Sequence, residues 1–290
     1  MIVIKENIIN MEPELENSYL FESETITGLS SLCSRSPSEI SKEQHEEFYK
    51  QFFVDIEVPL AYIHKYVEDS EVAYNVLFYI PASKTAEFYT YSDPQGVSLF
   101  VNDIFITNDA DEIRKLIPSY LRFVRGAISS NSLPLNVMRE YAHYKPVLDK
   151  IQSGAVKSIL DLLDNLASSD FERYMNFWES FGLILKAGIV EKNKNRIAKL
   201  LRFSSTQGDS YSQSVSLDDY ISRLKTNQDK IYYIVADSYE AAISSQYLSG
   251  FQDAGVEVLL MYRNGDEVIA ATLTEYEGIP LQSILEVAQS

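Results

Sequence analysis

Val97–Glu140 reads VSLFVNDIFITNDADEIRKLIPSYLRFVRGAISSNSLPLNVMRE, and the fold turns on how this stretch is divided. Its apolar opening, VSLFVNDIFI, predicts a buried strand. Asp109 to Glu112 then place acidic groups where the next helix would start, complementing its dipole. The basic amphipathic run IRKLIPSYLRFVRG predicts that helix, broken or kinked at Pro118, with Arg122 and Arg125 projecting from its end. Gly126 permits a close turn, and a polar loop then leads through Leu133-Pro134-Leu135-Asn136-Val137-Met138-Arg139 to Glu140.

Working outward, the N-terminal side carries a second helix signal. Ser41 with Gln44 forms a capping-box pattern before KEQHEEFYKQFF, in which His45 reads as a surface or staple residue. From Ile56 the period changes to two, so EVPLAYIHKYV and VAYNVLFYIPA are predicted strands. Leu77 to Ile80 is uninterrupted apolar sequence, as expected of a central strand covered on both faces. SKTAEFYTYSDPQG then reads as a loop exposing Phe88, Tyr89 and Tyr91.

On the C-terminal side, Pro146 suits the first turn of a helix carrying an apolar stripe from Val147 to Leu166. FERYMNFWESFGLILKAGI and NRIAKLLRF follow as further helices, with Trp178 packed inside. SSTQGDSYSQSVS is a Ser/Gln/Gly-rich break. Beyond it, a Ser216-capped helix, the strand KIYYIVA, the helix SYEAAISSQYLSGF, the strand VEVLLMY and DEVIAATL (helix or strand) predict a small parallel αβ unit. The expected organisation is α/β throughout. Residues 1–36 are poorly defined, 37–168 form a large αβα unit with the Arg139 loop, 169–206 a three-helix connector, and 207–290 a small αβα unit.

Composition narrows function by exclusion. With 290 residues and 46% hydrophobic content the chain can bury real cores. A formal net charge of −17 repels phosphate backbones and argues against nucleic acid as a partner. The single cysteine, Cys33, rules out an intrachain disulfide. No stretch has the length of a membrane span, and the acidic opening lacks the features of a secretory or transit peptide. There is no GxGxxG, no GxxxxGK[ST], no HExxH, no CxxC and no GxSxG. With only His45, His64 and His143, no metal site is expected. The residues alone describe a binding or interaction module more readily than a self-sufficient enzyme.

SLFVNDIFI, IPSYLRFVRG and LPLNVMRE, in this order, resemble the middle segment of the heat shock protein 90 chaperones. The likeness extends through FWESFGLILKAGI, AKLLRFSS, SLDDYISRLKTNQDKIYYI and VEVLLMY, and back to SRSPSEI and EEFYKQF. It covers roughly Ser34 to Ile284 and leans toward bacterial and mitochondrial members. The resemblance implies a large αβα unit, a helical connector and a small αβα unit. It implies ATP, with Mg2+, held by a separate N-terminal domain, and a middle-segment arginine, here Arg139, that reaches the γ-phosphate. Asn136 would support that loop, and His143 stands where a nucleotide-approaching Gln is usual. Phe88, Tyr89 and Tyr91 match a loop that engages client proteins. Other implied partners are the N-terminal nucleotide domain and a C-terminal dimerisation domain, without which this segment would be monomeric. The implied location is the cytoplasm, or the mitochondrion if a transit peptide was lost with an N-terminal part. The chain departs from the family pattern at Met138 (usually Ser), at Ser129-Ser130-Asn131-Ser132 (usually with acidic residues), at Asn102-Asp103 (usually an arginine pair) and at Cys33 (usually Trp). These departures keep a second reading open, that of a stand-alone interaction module with no ATPase role.

Overall fold

The structure, a computed structural model, describes residues 27–84, 96–207 and 212–287. Their contacts group into two compact units, one of residues 27–118 and 122–159, the other of residues 119–121 and 160–287. The division falls inside a single helix, Tyr141–Ser169.

The first unit is built on a five-stranded sheet. Helix α1 (residues 27–34) and helix α2 (Lys42–Phe52) precede strands β1 (Ala61–Glu68), β2 (Ala73–Ile80), β3 (Val97–Val101), β4 (Ile104–Thr107) and β5 (Arg125–Ser130). The sheet order is β1-β2-β5-β3-β4, antiparallel except for the β3–β5 pair. Leu77 to Ile80 are fully buried, and β2 lies between two neighbours, as the apolar run predicts. Ser41 closes both arms of its capping box with Gln44. Leu29, Leu32, Cys33, Ile40 and Tyr49 pack over Leu77, Tyr79, Phe100 and Ala127 of the sheet.

The deciding stretch divides differently from its sequence reading in two places. VSLFVNDIFI is a hairpin, not one strand: Asn102 and Asp103 both have positive φ, 50° and 60°, and Val101 pairs with Ile104. A two-residue turn with both residues left-handed matches the twist of the flanking strands, and Asn and Asp tolerate it best after glycine. The predicted basic helix is also absent. Only α3 (Ala110–Ile113) is α-helical, a 3₁₀ turn covers Ser119–Leu121, and Arg125 to Ser130 form β5, between β2 and β3. The apolar residues of this run are buried, but they meet non-local partners that override the local period. Arg125 therefore does not project from a helix end. It sits beside Asp55 (3.6 Å) and over the Phe53 ring (5.5 Å). Gly126 has φ 139°, and an added Cβ would lie 1.8 Å from the Leu77 carbonyl oxygen. No other residue fits there.

His45 is not on the surface as expected. It is 1% exposed, and its Nδ1 shares a hydrogen bond with the Tyr79 hydroxyl (2.9 Å). Helix α4 (Tyr141–Ser169) starts five residues before Pro146, which stands inside it. Within the first unit α4 packs on β2 so closely that Gly154 leaves room only for the Tyr74 hydroxyl.

The second unit contains helices α5 (Phe171–Lys186) and α6 (Lys194–Leu200) and a five-stranded sheet. Its strands are β6 (Ser204–Ser205), β7 (Ile231–Val235), β8 (Leu259–Met261), β9 (Glu275–Tyr276) and β10 (Ile279–Ser283). The order is β6-β8-β7-β10-β9, with β8, β7 and β10 mutually parallel. Helix α7 (Leu217–Ser222) begins at a complete Ser216–Asp219 capping box. The predicted helix SYEAAISSQYLSGF is instead broken into α8 (Tyr239–Ile243), a 3₁₀ turn and α9 (Ser249–Asp253), with Ser245 capping the middle piece. DEVIAATL resolves as helix α10 (Asp266–Thr272), and α11 (Ile284–Val287) ends the described chain. Trp178 is buried in α5 as expected.

Candidate functional site, the Arg139 turn

The turn that carries Arg139 joins β5 to α4 and is anchored at both ends. At the strand end, the Ser130 hydroxyl donates to the Ala73 carbonyl (2.7 Å) and the Ala73 amide donates to the Ser132 hydroxyl (3.3 Å). Ser130 and Ser132 thus tie the end of β5 to β2. At the helix end, Lys150 pairs with Glu71 (2.8 Å) and Asp69 (3.8 Å) at the β1–β2 turn. Between the anchors, Leu133, Val137 and Met138 are buried while Asn136, Arg139 and Glu140 are exposed. Met138 therefore works as an apolar peg beneath the turn.

The turn is wound as a single helical loop. The Glu140 amide donates to the Asn136 carbonyl (3.0 Å), and the Val137 amide to the Pro134 carbonyl (3.1 Å). The Glu140 carbonyl then accepts from His143 (2.9 Å) and Tyr144 (3.3 Å), so Glu140 caps α4. Arg139 stands one residue ahead of the cap, at the positive end of a 29-residue helix. Among the described residues its guanidinium has no hydrogen-bond or ion-pair partner. An uncommitted, permanently charged, planar donor at a helix N-terminus can bind an oxyanion brought to it.

Of the other residues singled out by sequence, Asn136 lies in the same turn, but its side-chain amide donates to the Glu140 carboxylate (2.7 Å) and not toward Arg139. His143 is exposed in the first turn of α4, edge-on to Tyr144 with ring centroids 4.7 Å apart. Phe88, Tyr89 and Tyr91 lie outside the described residues. Glu140 was not singled out; its signal was the four-residue spacing from Asn136. Among the described residues no group of three or more His, Cys, Asp or Glu could hold a metal ion, and no helix is long and apolar enough to cross a membrane.

The Hsp90 protein family matches residues 13–288, which takes in both sheets and the Arg139 turn. The chain belongs to the Hsp90 family. The chaperone protein HtpG of Methylococcus capsulatus is 47% identical over 263 residues, covering 90% of this chain and 41% of that protein. The HtpG of Nitrosospira multiformis is 44% identical over 289 residues, covering 98% and 44% respectively. This chain thus spans about two fifths of the length of these Hsp90 relatives. Among solved structures, the middle domain of a Plasmodium falciparum heat shock protein matches with a TM-score of 0.74 at 27% identity, covering 86% of this chain and 97% of that one. The resemblance read from LRFVRG and LPLN is therefore correct at the level of family and fold.

Proposed function

We propose that this chain acts as the middle segment of an ATP-dependent Hsp90 chaperone, lending Arg139 to the γ-phosphate of ATP held on a separate N-terminal domain. The carrying observation is the exposed Arg139 guanidinium, without a partner among the described residues, on a turn pinned from both sides. Phosphoryl transfer needs charge stabilisation and positioning more than covalent help, and a preset arginine supplies both. In this reading Arg139 binds the transferring phosphoryl oxygens and Asn136 holds the turn. His143, one helical turn on, borders the nucleotide. Mg2+ would travel with the nucleotide. Client proteins would bind elsewhere on the segment, Phe88, Tyr89 and Tyr91 among the contacts, and a C-terminal domain would supply dimerisation. The cytoplasm is the proposed location.

Docking tests this reading. The chain, added to a separately produced Hsp90 N-terminal nucleotide domain, is expected to bind more tightly with a non-hydrolysable ATP analogue than with ADP, and Arg139→Ala is expected to erase the difference. Binding that ignores the nucleotide would support the second reading, a nucleotide-independent interaction module, which the replacements at Met138 and Ser129 to Ser132 favour.

A further inference from the structure

We infer that Glu140 is a positioning residue for Arg139, acting through Asn136; the inference rests on the ATPase reading of Arg139. Glu140 neighbours Arg139 in the chain, and a carboxylate so placed could pair with the guanidinium and hold it away from a phosphate. It does not. Its Oε1 accepts from the Asn136 Nδ2 at 2.7 Å, while its own amide donates to the Asn136 carbonyl at 3.0 Å. The same two residues are therefore joined twice, once through the main chain and once through side chains. This double link closes the loop over Val137, Met138 and Arg139.

Two consequences follow for the reaction. First, the exposed half of the turn gains a fixed shape to match the buried half pegged by Val137 and Met138. The main chain that carries Arg139 is then held in one shape, so less ordering of the turn is needed when a phosphate arrives. Second, the Glu140 carboxylate is occupied by Asn136, four residues back, so the Arg139 charge remains available to an anion. Asn136 alone cannot do this, because its amide needs the carboxylate as acceptor. Glu140 therefore completes the pair that holds the turn without touching the nucleotide.

The test uses a chimera in which this chain replaces the matching segment of the Methylococcus capsulatus HtpG, with ATP turnover measured over a range of ATP concentrations. One solvent-exposed hydrogen bond supports a turnover effect of about three- to ten-fold. Glu140→Ala and Asn136→Ala are each expected to lower kcat by that factor with KM unchanged, and the double variant to lower it no further. Glu140→Gln keeps an acceptor oxygen and is expected to retain most of the turnover. Additive losses, or Glu140→Gln falling as far as Glu140→Ala, would overturn the positioning role. So would unchanged turnover in Glu140→Ala when Arg139→Ala still cripples the chimera, and that outcome would leave the Arg139 reading standing. Unchanged turnover in Arg139→Ala itself would remove both.

Discussion

Replacing Lys186 with methionine removes one half of the most deeply buried ion pair among the described residues. Lys186 ends α5 and Asp266 opens α10; the pair is 4% and 1% exposed, with Nζ 2.7 Å from Oδ1. In the Lys186→Met protein the Asp266 carboxylate keeps only the Arg263 amide (2.9 Å) and the dipole of a short helix. Stranding a buried charge in this way typically costs about 3–5 kcal/mol. Protonation sets a ceiling, because a carboxyl with an ordinary value of 3.8 can be neutralised at pH 7 for about 1.4 kcal/mol per pH unit, or about 4 kcal/mol. Burial already pushes Asp266 upward, against the opposing pull of Lys186. Without the lysine its folded value rises further above the unfolded one. The folded state then binds more protons than the unfolded state, and the deficit shrinks as pH falls. The expectation is a loss of about 3–4 kcal/mol at pH 7, shrinking by about 1 kcal/mol or more per unit toward pH 5. Trp178 is the only tryptophan, and its ring centroid lies 5.6 Å from the Lys186 Nζ, so its fluorescence in urea titrations reports on this unit. A deficit below about 1 kcal/mol at pH 7, or one that grows on acidification, would refute the reasoning.

Two further perturbations address the first unit. Gly126→Ala drives a methyl into the Leu77 carbonyl and forces a φ that alanine resists, so a loss of about 3 kcal/mol or more is expected in urea unfolding followed by circular dichroism; a loss under about 1 kcal/mol would contradict the tight β2–β5 contact. Burial, aided by the neighbouring His64 and Arg35, lowers His45 from 6.5 to about 4. Its contribution is complete above pH 6.5 and is lost as pH falls toward 4, amounting to about 2 kcal/mol by pH 5. His64, also lowered by burial, donates from Nε2 to the Cys33 carbonyl and adds to the same acid sensitivity. His45→Gln keeps a partner for Tyr79 but does not titrate, so its stability is expected to fall less steeply between pH 6.5 and 5 than that of the parent; identical slopes would count against the buried histidine.

Several features of the fold could be read without coordinates because they are local. The Ser41 and Ser216 boxes need only a four-residue window, and Leu77 to Ile80 announces its own burial. The family likeness could be read for a similar reason, since LRFVRG and LPLN are contiguous. Other features depended on partners far along the chain. Ile113 to Val124 has apolar spacing that suits a helix, yet only the 3₁₀ turn Ser119–Leu121 is helical beyond Ile113, and β5 takes over at Arg125. Asn102-Asp103 was a hairpin signal hidden between two apolar runs that read as one strand. His45 is buried by Tyr79, 34 residues away, which no local pattern specifies. At the site, Arg139 came from the motif, whereas the Asn136–Glu140 contact emerged only with the turn's winding.

Turnover of ATP by the chimera, with and without Arg139→Ala, tests the central claim most directly. Arg139→Ala is expected to lower kcat by at least about a hundred-fold, the scale typical of losing a charge-stabilising donor, while nucleotide affinity stays within about two-fold. Unchanged kcat would contradict the claim, and the exposed arginine of this turn would then have no part in hydrolysis.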